Sequence, residues 1–450
     1  MSGLLTQLSR SVLSSASAST SRALSTSAVA AKAAAAKARQ ANATKGGGGR
    51  TKVRSGDPRS WCGVAANISQ STGLVLKTAL AQEPADLTDL VQLYPESVIP
   101  LNVGKASTFP RNTYDQLKTF GLPTRLEKEL AIGSPASVVR QATLDLVQTL
   151  EKSKGGSSKN ARYLLNGVRG SGKSTLLVQA VSYALESGWL VLYAPRAEKW
   201  TDSSSQFAYN AASQTFHQPE LSASLLSKFY AVNRDRLATV ALPEALTFGE
   251  HKFAAGSKLD ELVSAGSKDE LVSVPILEKV LEILGKQTQL PVLIALDDVQ
   301  TLFGTSKYRT PTYEPVEPYH LSAPRLFLDY FSGRKSFANG AIVTAPSLTN
   351  TKIFPSVDFY KGFGIQPRKA ITEYTKFNEH HLAHAEGVKK IEVPFGLTGT
   401  EAAGMFELWT RRGWVANGAD DVFMGGFTAA AGNPLELARG WTISHQTHIA

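Results

Sequence analysis

Residues 167–175 read G-V-R-G-S-G-K-S-T, a complete phosphate-binding loop motif that follows an apolar run at 163–165 and opens a helical segment at 176–186. Backbone N–H groups of such a glycine-rich turn can point at phosphate oxygens, and the helix N-terminus adds partial positive charge. In this motif Lys173 reaches the β- and γ-phosphates, and the hydroxyl of Ser174 ligates Mg²⁺. The pattern predicts a nucleoside triphosphate site, whose expected contact residues are Gly167, Arg169, Gly170, Ser171, Gly172, Lys173, Ser174 and Thr175.

A second segment strengthens this prediction. Residues 291–300 read P-V-L-I-A-L-D-D-V-Q, an unbroken apolar run that ends in two acids. Strands that are buried on both faces of a parallel sheet have this composition. Such a strand places Asp297 at its carboxyl end, where open α/β sheets bind ligands and where a Walker B aspartate holds the Mg²⁺ shell. We therefore expect Mg²⁺ to be held by Ser174 and by Asp297, the latter directly or through water.

The order of the elements indicates an α/β fold. Another apolar run, residues 189–193, follows the helix after the loop, and the succession of strand, loop, helix and strand is a βαβ unit. Because βαβ units build parallel sheets, we predict a parallel sheet flanked by helices. At 450 residues the chain exceeds one typical core, so several parts are expected. These are a mitochondrial transit peptide at 1–31, a flexible basic extension at 32–56, an N-terminal arm at 57–132, a P-loop nucleotide-binding domain at 133–350 and a C-terminal helical lid domain at 351–450.

The positive charge of the chain is concentrated at its N-terminus. Residues 1–56 hold nine of the 48 basic residues and no acid, which leaves 39 basic against 38 acidic residues in the rest of the chain. The body is thus close to neutral, which excludes strong non-specific attraction to nucleic acid by its net charge. The leader is rich in Ser and Ala and lacks acids, as mitochondrial transit peptides do, and the predicted processing site lies near Ala31. A nucleic-acid-binding arm is the competing interpretation. Both interpretations hold if residues 1–31 are removed as a transit peptide and residues 32–56 remain as a basic arm.

Cysteine content and hydropathy indicate the compartment. Cys62 is the only cysteine, so an internal disulfide is excluded, which suits a reducing compartment such as the mitochondrial matrix. No stretch reaches the roughly 20 apolar residues that a membrane-spanning helix needs, so we expect no membrane insertion.

Taken together, the segments resemble the P-loop protein of the mitochondrial ribosomal small subunit, the death-associated protein three family, in a fungal type of member. The match covers most of residues 90–450 and is most specific at 293–343. Beyond the loop, the matching segments are V-L-Y-A-P-R-A-E-K-W ending at Trp200, L-I-A-L-D-D-V-Q-T-L-F at 293–303, Y-H-L-S-A-P-R-L-F-L-D-Y from Tyr319, S-G-R-K-S-F-A-N-G-A-I-V from Ser332 and G-N-P-L-E-L from Gly432.

The resemblance implies a fold, ligands and partners. It implies an AAA+-like module with a helical lid, built into the head of the small subunit in the mitochondrial matrix, where it supports mitochondrial translation. The implied cofactors are a purine nucleotide, GTP/GDP or ATP, and Mg²⁺. The implied partners are the mitochondrial small-subunit rRNA and neighbouring small-subunit ribosomal proteins, with contact to the large subunit left open. Carried over by position, residues 172–175 hold phosphates and Asp297 holds the Mg²⁺.

Departures from an active AAA+ ATPase favour nucleotide binding with little or no hydrolysis. Asp298 stands where those enzymes usually place a catalytic glutamate, and its side chain is one methylene shorter. Leu435 stands where a sensor arginine often follows Gly-Asn-Pro, Arg439 lies one helical turn later, and no arginine finger is evident. We therefore predict a structural ribosomal protein without efficient turnover. The alternatives are a mitochondrial AAA+-type ATPase or GTPase that acts in remodelling or assembly, and an RNA-binding factor that leaves the ribosome.

Overall fold

The structure, a computed structural model, describes residues 87–131, 133–350, 353–367, 371–415 and 417–442, which all belong to one compact unit, Gln82–Ala450. The predicted transit peptide, the basic extension and Cys62 lie outside the described residues. The strands are, in chain order, β1 (Val91–Gln92), β2 (Ala106–Thr108), β3 (Ala136–Val138), β4 (Arg162–Asn166), β5 (Leu190–Ala194), β6 (Ala208–Asn210), β7 (Thr215–His217), β8 (Leu246–Phe248), β9 (His251–Phe253), β10 (Val292–Asp297), β11 (Gly340–Ala345) and β12 (Lys389–Glu392).

The helices surround the strands and dominate the C-terminal part. They are α1 (Arg111–Phe120), α2 (Thr124–Ala131), α3 (Gln141–Ser153), α4 (Lys173–Glu186), α5 (Pro219–Leu237), α6 (Leu259–Lys268), α7 (Glu270–Lys286), α8 (Ser322–Phe331), α9 (Val357–Gly362), α10 (Glu379–Ala385), α11 (Gly399–Arg411), α12 (Asp420–Ala430) and α13 (Pro434–Trp441).

Five strands form the central sheet in the order β12-β4-β11-β10-β5, and each neighbouring pair is parallel. Asp297 of β10 lies beside Ala345 of β11, and Leu296 lies beside Ala194 of β5. Because all five strands run the same way, their carboxyl ends meet at one edge, where open α/β sheets bind ligands. The predicted α/β fold with a parallel sheet flanked by helices is confirmed.

Helices cover both faces of this sheet because successive side chains of a strand point to opposite sides. Val292, Ile294 and Leu296 of β10 belong to one core cluster, together with residues of α5 to α8. Leu293 and Ala295 belong to a second cluster, together with residues of α1 to α4. The unbroken apolar run of the sequence is therefore a strand buried on both faces.

Strand β12 lies in the part for which the sequence predicted a helical lid. It pairs with β4 and forms an edge of the sheet. Its four residues are exposed or half-buried, so they lack the apolar run that identifies β10. A short edge strand that is exposed to solvent has no pattern of apolar residues, which is why the sequence did not predict it.

The tight contact between α11 and the loop at Gly104 gives a first prediction. A Cβ added at Gly404 would lie 1.9 Å from the carbonyl oxygen of Gly104, which is backbone and cannot swing away. We expect Gly404→Ala to lower the free energy of unfolding by about 1–3 kcal/mol, the usual cost of overpacking. Gly425 in α12 is the matched control, because nothing lies within 4 Å of its added Cβ. There alanine should raise the free energy of unfolding by about 0.5–1 kcal/mol. Urea unfolding in which both variants were stabilised, or both destabilised, relative to the natural protein would contradict this.

Candidate functional site

The phosphate loop, residues 167–172, connects β4 to α4. Gly170 and Gly172 take positive φ angles of 80° and 87°, which residues with a Cβ adopt only with strain. Gly172 caps the N-terminus of α4, and the first N–H groups of a helix have no partner within it. Because α4 is almost wholly buried, these donors are fixed on a rigid element.

Lys173 lies at the first turn of α4 with its ammonium group inside the loop. The side chain is 5% exposed, and Nζ donates to the carbonyl oxygens of Gly167 and Val168 at 2.9 and 2.7 Å. Burial lowers the pKa of Lys173 to about 8, although the nearby charge of Asp297 acts in the opposite direction. A poorly solvated cation of this kind gains more from a phosphate than an exposed lysine would.

Asp297 ends β10 directly below the loop and is 1% exposed. Burial raises the pKa of its carboxyl group, and this is opposed by a hydrogen bond from Ser174, by the N–H of Asp298 at 3.0 Å and by the charge of Lys173. The structure thus brings together the two residues that the sequence predicted as Mg²⁺ ligands. They lie 123 positions apart in the chain, and the parallel sheet joins them.

The donor set of this pair fits Mg²⁺. A hydroxyl and one carboxylate are hard oxygen ligands, and Mg²⁺ is usually held by one or two carboxylates, substrate phosphates and water. Within the described residues, no three His, Cys, Asp or Glu side chains are grouped so as to hold a metal. Ser174 and Asp297 would therefore share the ion with a bound phosphate, rather than enclose it on their own.

Asp298 follows Asp297 in a left-handed conformation, with φ 60° and ψ 30°, and begins the turn Val299–Phe303. Such a conformation is uncommon away from glycine and tends to occur at functional sites. Burial and the charge of Asp297 raise the pKa of Asp298. Gln300 contacts Asp298 at 3.5 Å, and through its amide it both donates to and accepts from the backbone of Ser347, at 2.9 and 3.1 Å. Gln300 therefore ties the end of β10 to the segment after β11, a role that no sequence motif indicated.

The pKa of Asp298 gives a second prediction, on the metal-free protein. Folding raises this pKa, so the charged form of Asp298 is more favourable in the unfolded chain than in the folded one. The folded state is therefore progressively destabilised as the pH rises above the ordinary carboxyl range. Asparagine removes the charge and tolerates the left-handed conformation. Asp298→Asn should therefore melt at a higher temperature than the natural protein near pH 8, and most of this gain should disappear near pH 5. Melting curves with a constant difference over that range would contradict it.

A cavity of about 440 Å³ opens beside the loop, within the size range of small-molecule sites. Its polar end is formed by Gly170, Gly172, Lys173, Ser174, Thr175, Asp297 and Asp298. Its other walls include apolar residues from α2, β3, α11 and α13, namely Leu126, Val138, Met405, Leu408 and Leu435. Of the remaining predicted contacts, Ser171 is fully buried, Arg169 is exposed and Gly167 offers its carbonyl to Lys173. One end thus suits phosphates and the other suits a flat, partly apolar ring.

The C-terminal segment closes the cavity by binding the phosphate loop directly. The backbone N–H of Leu435 donates to the carbonyl of Gly170 at 3.3 Å, and the amide of Asn433 donates to the carbonyl of Arg169 at 3.1 Å. Arg439 instead pairs with Glu436 at 2.8 Å, is about half exposed and does not line the cavity. Leu435 thus occupies the place where a sensor arginine would be expected.

Two arginines that the motifs did not indicate also line the cavity. Arg125 lies on α2, and Arg196 follows β5. Arg196 donates to the carbonyl of Leu122 at 2.8 Å and forms an ion pair with Glu127. Together with Lys173 they line the cavity beside four acids, Glu129, Glu198, Asp297 and Asp298, so its wall carries both signs of charge.

Comparisons with known proteins identify several relatives of this chain. Small ribosomal subunit protein mS29 of Neurospora crassa is 26% identical over 345 residues, which cover 74% of this chain and 72% of that protein. The protein of the same name from Schizosaccharomyces pombe is 27% identical over 274 residues, 58% of this chain and 56% of its own length. The mouse protein of that name is 24% identical over 278 residues, 60% and 70% of the two chains.

A family model, described as mitochondrial ribosomal death-associated protein 3, matches residues 137–440. This range contains the phosphate loop, β10 and the segment that closes the cavity. In the described part of the chain, no helix combines the length and the apolar character needed to span a bilayer. The match covers well over half of the chain and confirms the resemblance seen in the sequence, so the protein is a mitochondrial member of the family of mitochondrial ribosomal death-associated protein 3.

Proposed function

We propose that the protein is a structural constituent of the mitochondrial small ribosomal subunit that holds a purine nucleotide and Mg²⁺ with little or no hydrolysis. The single observation that carries the nucleotide part is the convergence of Lys173, Ser174 and Asp297 at one end of a cavity of about 440 Å³. The ribosomal part rests on family membership and on relatives that are named small ribosomal subunit proteins.

The ligand is a nucleoside di- or triphosphate, GTP/GDP or ATP. Its phosphates would meet the N–H groups of the loop and Lys173, and its base would lie against the apolar wall formed by α2, β3 and α11. Ser174 and Asp297 would hold Mg²⁺, which when bound neutralises phosphate charge and fixes the phosphate geometry.

Slow or absent hydrolysis is supported by the side chains near the phosphate end. The short side chain of Asp298 starts from a left-handed backbone and contacts Gln300, so it is poorly placed to orient an attacking water. Leu435 and the Glu436-bound Arg439 supply no cation from α13. Charge stabilisation at the γ-phosphate is a main source of rate in such reactions, so its absence from this helix favours retention of the nucleotide.

A retained nucleotide would stabilise the fold itself. The phosphate loop contacts the C-terminal segment through Gly170 and Arg169, so a ligand bound to the loop also holds α13 in place. A ligand that binds only the folded state stabilises it by about 2.7 kcal/mol at a concentration one hundred times its Kd. In this proposal the nucleotide is a structural part of a ribosomal protein.

The ribosomal proposal is tested by sedimentation of a mitochondrial lysate through a sucrose gradient at constant low salt. The protein should migrate with the small subunit, and its cross-links should identify mitochondrial small-subunit rRNA and neighbouring ribosomal proteins. A protein found only outside the small-subunit fraction would refute the proposal and favour a separate RNA-binding factor.

The nucleotide proposal is tested on the purified full chain. Denaturation should release about one molecule of a purine nucleotide per chain, and steady-state turnover should stay far below the roughly 1 s⁻¹ that is usual for enzymes. Asp298→Asn should change nucleotide retention little. Turnover near the enzymatic range that Asp298→Asn abolishes would instead support the alternative, a remodelling or assembly ATPase.

A further inference from the structure

Arg140, the residue that precedes α3, lies beneath the phosphate loop and outside every motif described above. Its side chain is 6% exposed, and Nη1 donates to the carbonyl oxygen of Ser171 at 2.6 Å. A Cβ added at Gly172 would lie 2.9 Å from the same nitrogen. The missing side chain at Gly172 therefore also admits the guanidinium group of Arg140.

Glu401 on α11 accompanies this buried cation. It is 3% exposed, and its Oε2 lies 3.9 Å from Nε of Arg140. The same carboxylate accepts the N–H of Gln141 at 2.8 Å and the N–H of Thr398 at 3.0 Å, so it joins the start of α3 to the start of α11. Nε of Arg140 is buried and makes no hydrogen bond, so Glu401 balances this charge mainly by proximity.

The direction of one peptide bond links this pair to the ligand. In a trans peptide the carbonyl of Ser171 and the N–H of Gly172 point to opposite sides. Arg140 holds that carbonyl and does not line the cavity, whereas Gly172 does. The contact thus orients a loop N–H group towards the place where phosphate would bind.

We propose that Arg140 and Glu401 are positioning residues that fix the phosphate loop in its phosphate-binding conformation and couple its occupancy to α11. This inference rests on the proposed nucleotide binding. The coupling has two steps, from the Ser171 carbonyl to Arg140 and from Arg140 to Glu401 at the first turn of α11. A loop held by phosphate should therefore hold α11 more firmly, although α11 lies more than 200 residues later in the chain.

The test uses the full chain and a probe without a base, Mg²⁺-pyrophosphate, measured by calorimetry. Arg140→Met should weaken pyrophosphate binding about tenfold or more, the usual size of a coupling or supporting-residue effect. Binding of guanosine and adenosine, which have no phosphate, should be unchanged. Arg140→Lys, which keeps a donor for the Ser171 carbonyl, should recover part of the loss.

Arg162 provides a matched control. It is 7% exposed and donates to the carbonyl of Phe331 at 3.0 Å, but it begins β4 at the opposite edge of the sheet. Arg162→Met should lower thermal stability as Arg140→Met does, and leave pyrophosphate affinity unchanged. A merely structural role for Arg140 predicts that both variants behave alike.

Two further measurements test the coupling. Pyrophosphate should slow hydrogen exchange at the first turn of α11 in the natural protein and not in Arg140→Met. Glu401→Gln keeps an acceptor for the N–H of Gln141 but removes the charge, so it should weaken pyrophosphate binding less than Arg140→Met does. If Arg140→Met does not fold, Arg140→Lys and Glu401→Gln decide, and unchanged affinity in both overturns the inference.

The outcomes separate the two levels of the argument. If the natural protein binds neither pyrophosphate nor purine nucleotides, the proposed function fails. If it binds them and Arg140→Met binds pyrophosphate equally well, the positioning role fails and the proposed function stands.

Discussion

Replacing Lys173 with alanine should abolish the retention of nucleotide by the purified protein. The ammonium group is buried within the loop and makes its hydrogen bonds to the carbonyls of Gly167 and Val168. With a phosphate bound it would form charge-assisted hydrogen bonds, which contribute about 1.5–3 kcal/mol each. Loss of two such bonds, about 3–6 kcal/mol, weakens binding by roughly 10²- to 10⁴-fold. Such a protein would lose its ligand during purification.

The measurement is the nucleotide content of the purified chain, together with its melting temperature before and after addition of Mg²⁺-nucleotide. The natural protein should be stabilised by the ligand, and Lys173→Ala should not respond. Without ligand the two should differ less, because burial already lowers the pKa of Lys173 and so makes the cation itself unfavourable.

Lys228 is the control for a generic lysine effect. It is half-buried, its pKa is lowered by burial, and its Nζ donates to the carbonyl of Phe120 at 3.0 Å. Lys228 does not line the cavity. Lys228→Ala should retain nucleotide at the natural level. Full retention by Lys173→Ala would remove the phosphate loop from the proposed function.

The sequence was sufficient to predict the elements whose signal is local. The phosphate loop combines glycines at positive φ with a helix that starts at Lys173, and β10 is an apolar run that is buried on both faces. Each of these patterns is complete within about ten residues. The pairing of Ser174 with Asp297 followed because parallel strands bring their carboxyl ends to one edge.

The residues that support the loop could not be predicted in this way. Arg140 contacts Ser171 across 31 positions, and Glu401 contacts Gln141 across 260 positions. A single arginine before a helix has no distinctive pattern. Thr398 and Glu401 form a capping box, which indicates where α11 starts but not that Glu401 also contacts α3. Their role depends on tertiary packing, which a single sequence does not encode in any short motif.

Replacing Gly170 with alanine should strongly destabilise the protein and release the C-terminal segment from the loop. The added Cβ would lie 2.5 Å from Cβ of Leu435 and 2.6 Å from the side-chain oxygen of Asn433. Neither atom can move away easily, because the side chain of Asn433 caps α13 and the backbone N–H of Leu435 donates a hydrogen bond to the carbonyl of Gly170. The left-handed backbone adds about 1–2 kcal/mol of strain and the overpacking about 1–3 kcal/mol.

Gly188 separates these two contributions. Its φ of 79° is nearly that of Gly170, and nothing lies within 4 Å of its added Cβ. Gly188→Ala therefore introduces the backbone strain alone. In urea unfolding, the free energy of unfolding of Gly170→Ala should be lower than that of Gly188→Ala by the cost of overpacking, about 1–3 kcal/mol. Nucleotide affinity should fall only in Gly170→Ala, because Gly170 lines the cavity and contacts α13, whereas Gly188 does not line the cavity. If both variants lost the same free energy of unfolding and the same nucleotide affinity, the contact between the C-terminal segment and the phosphate loop would not matter for either property. The proposed stabilisation of α13 by nucleotide would then lose its structural basis.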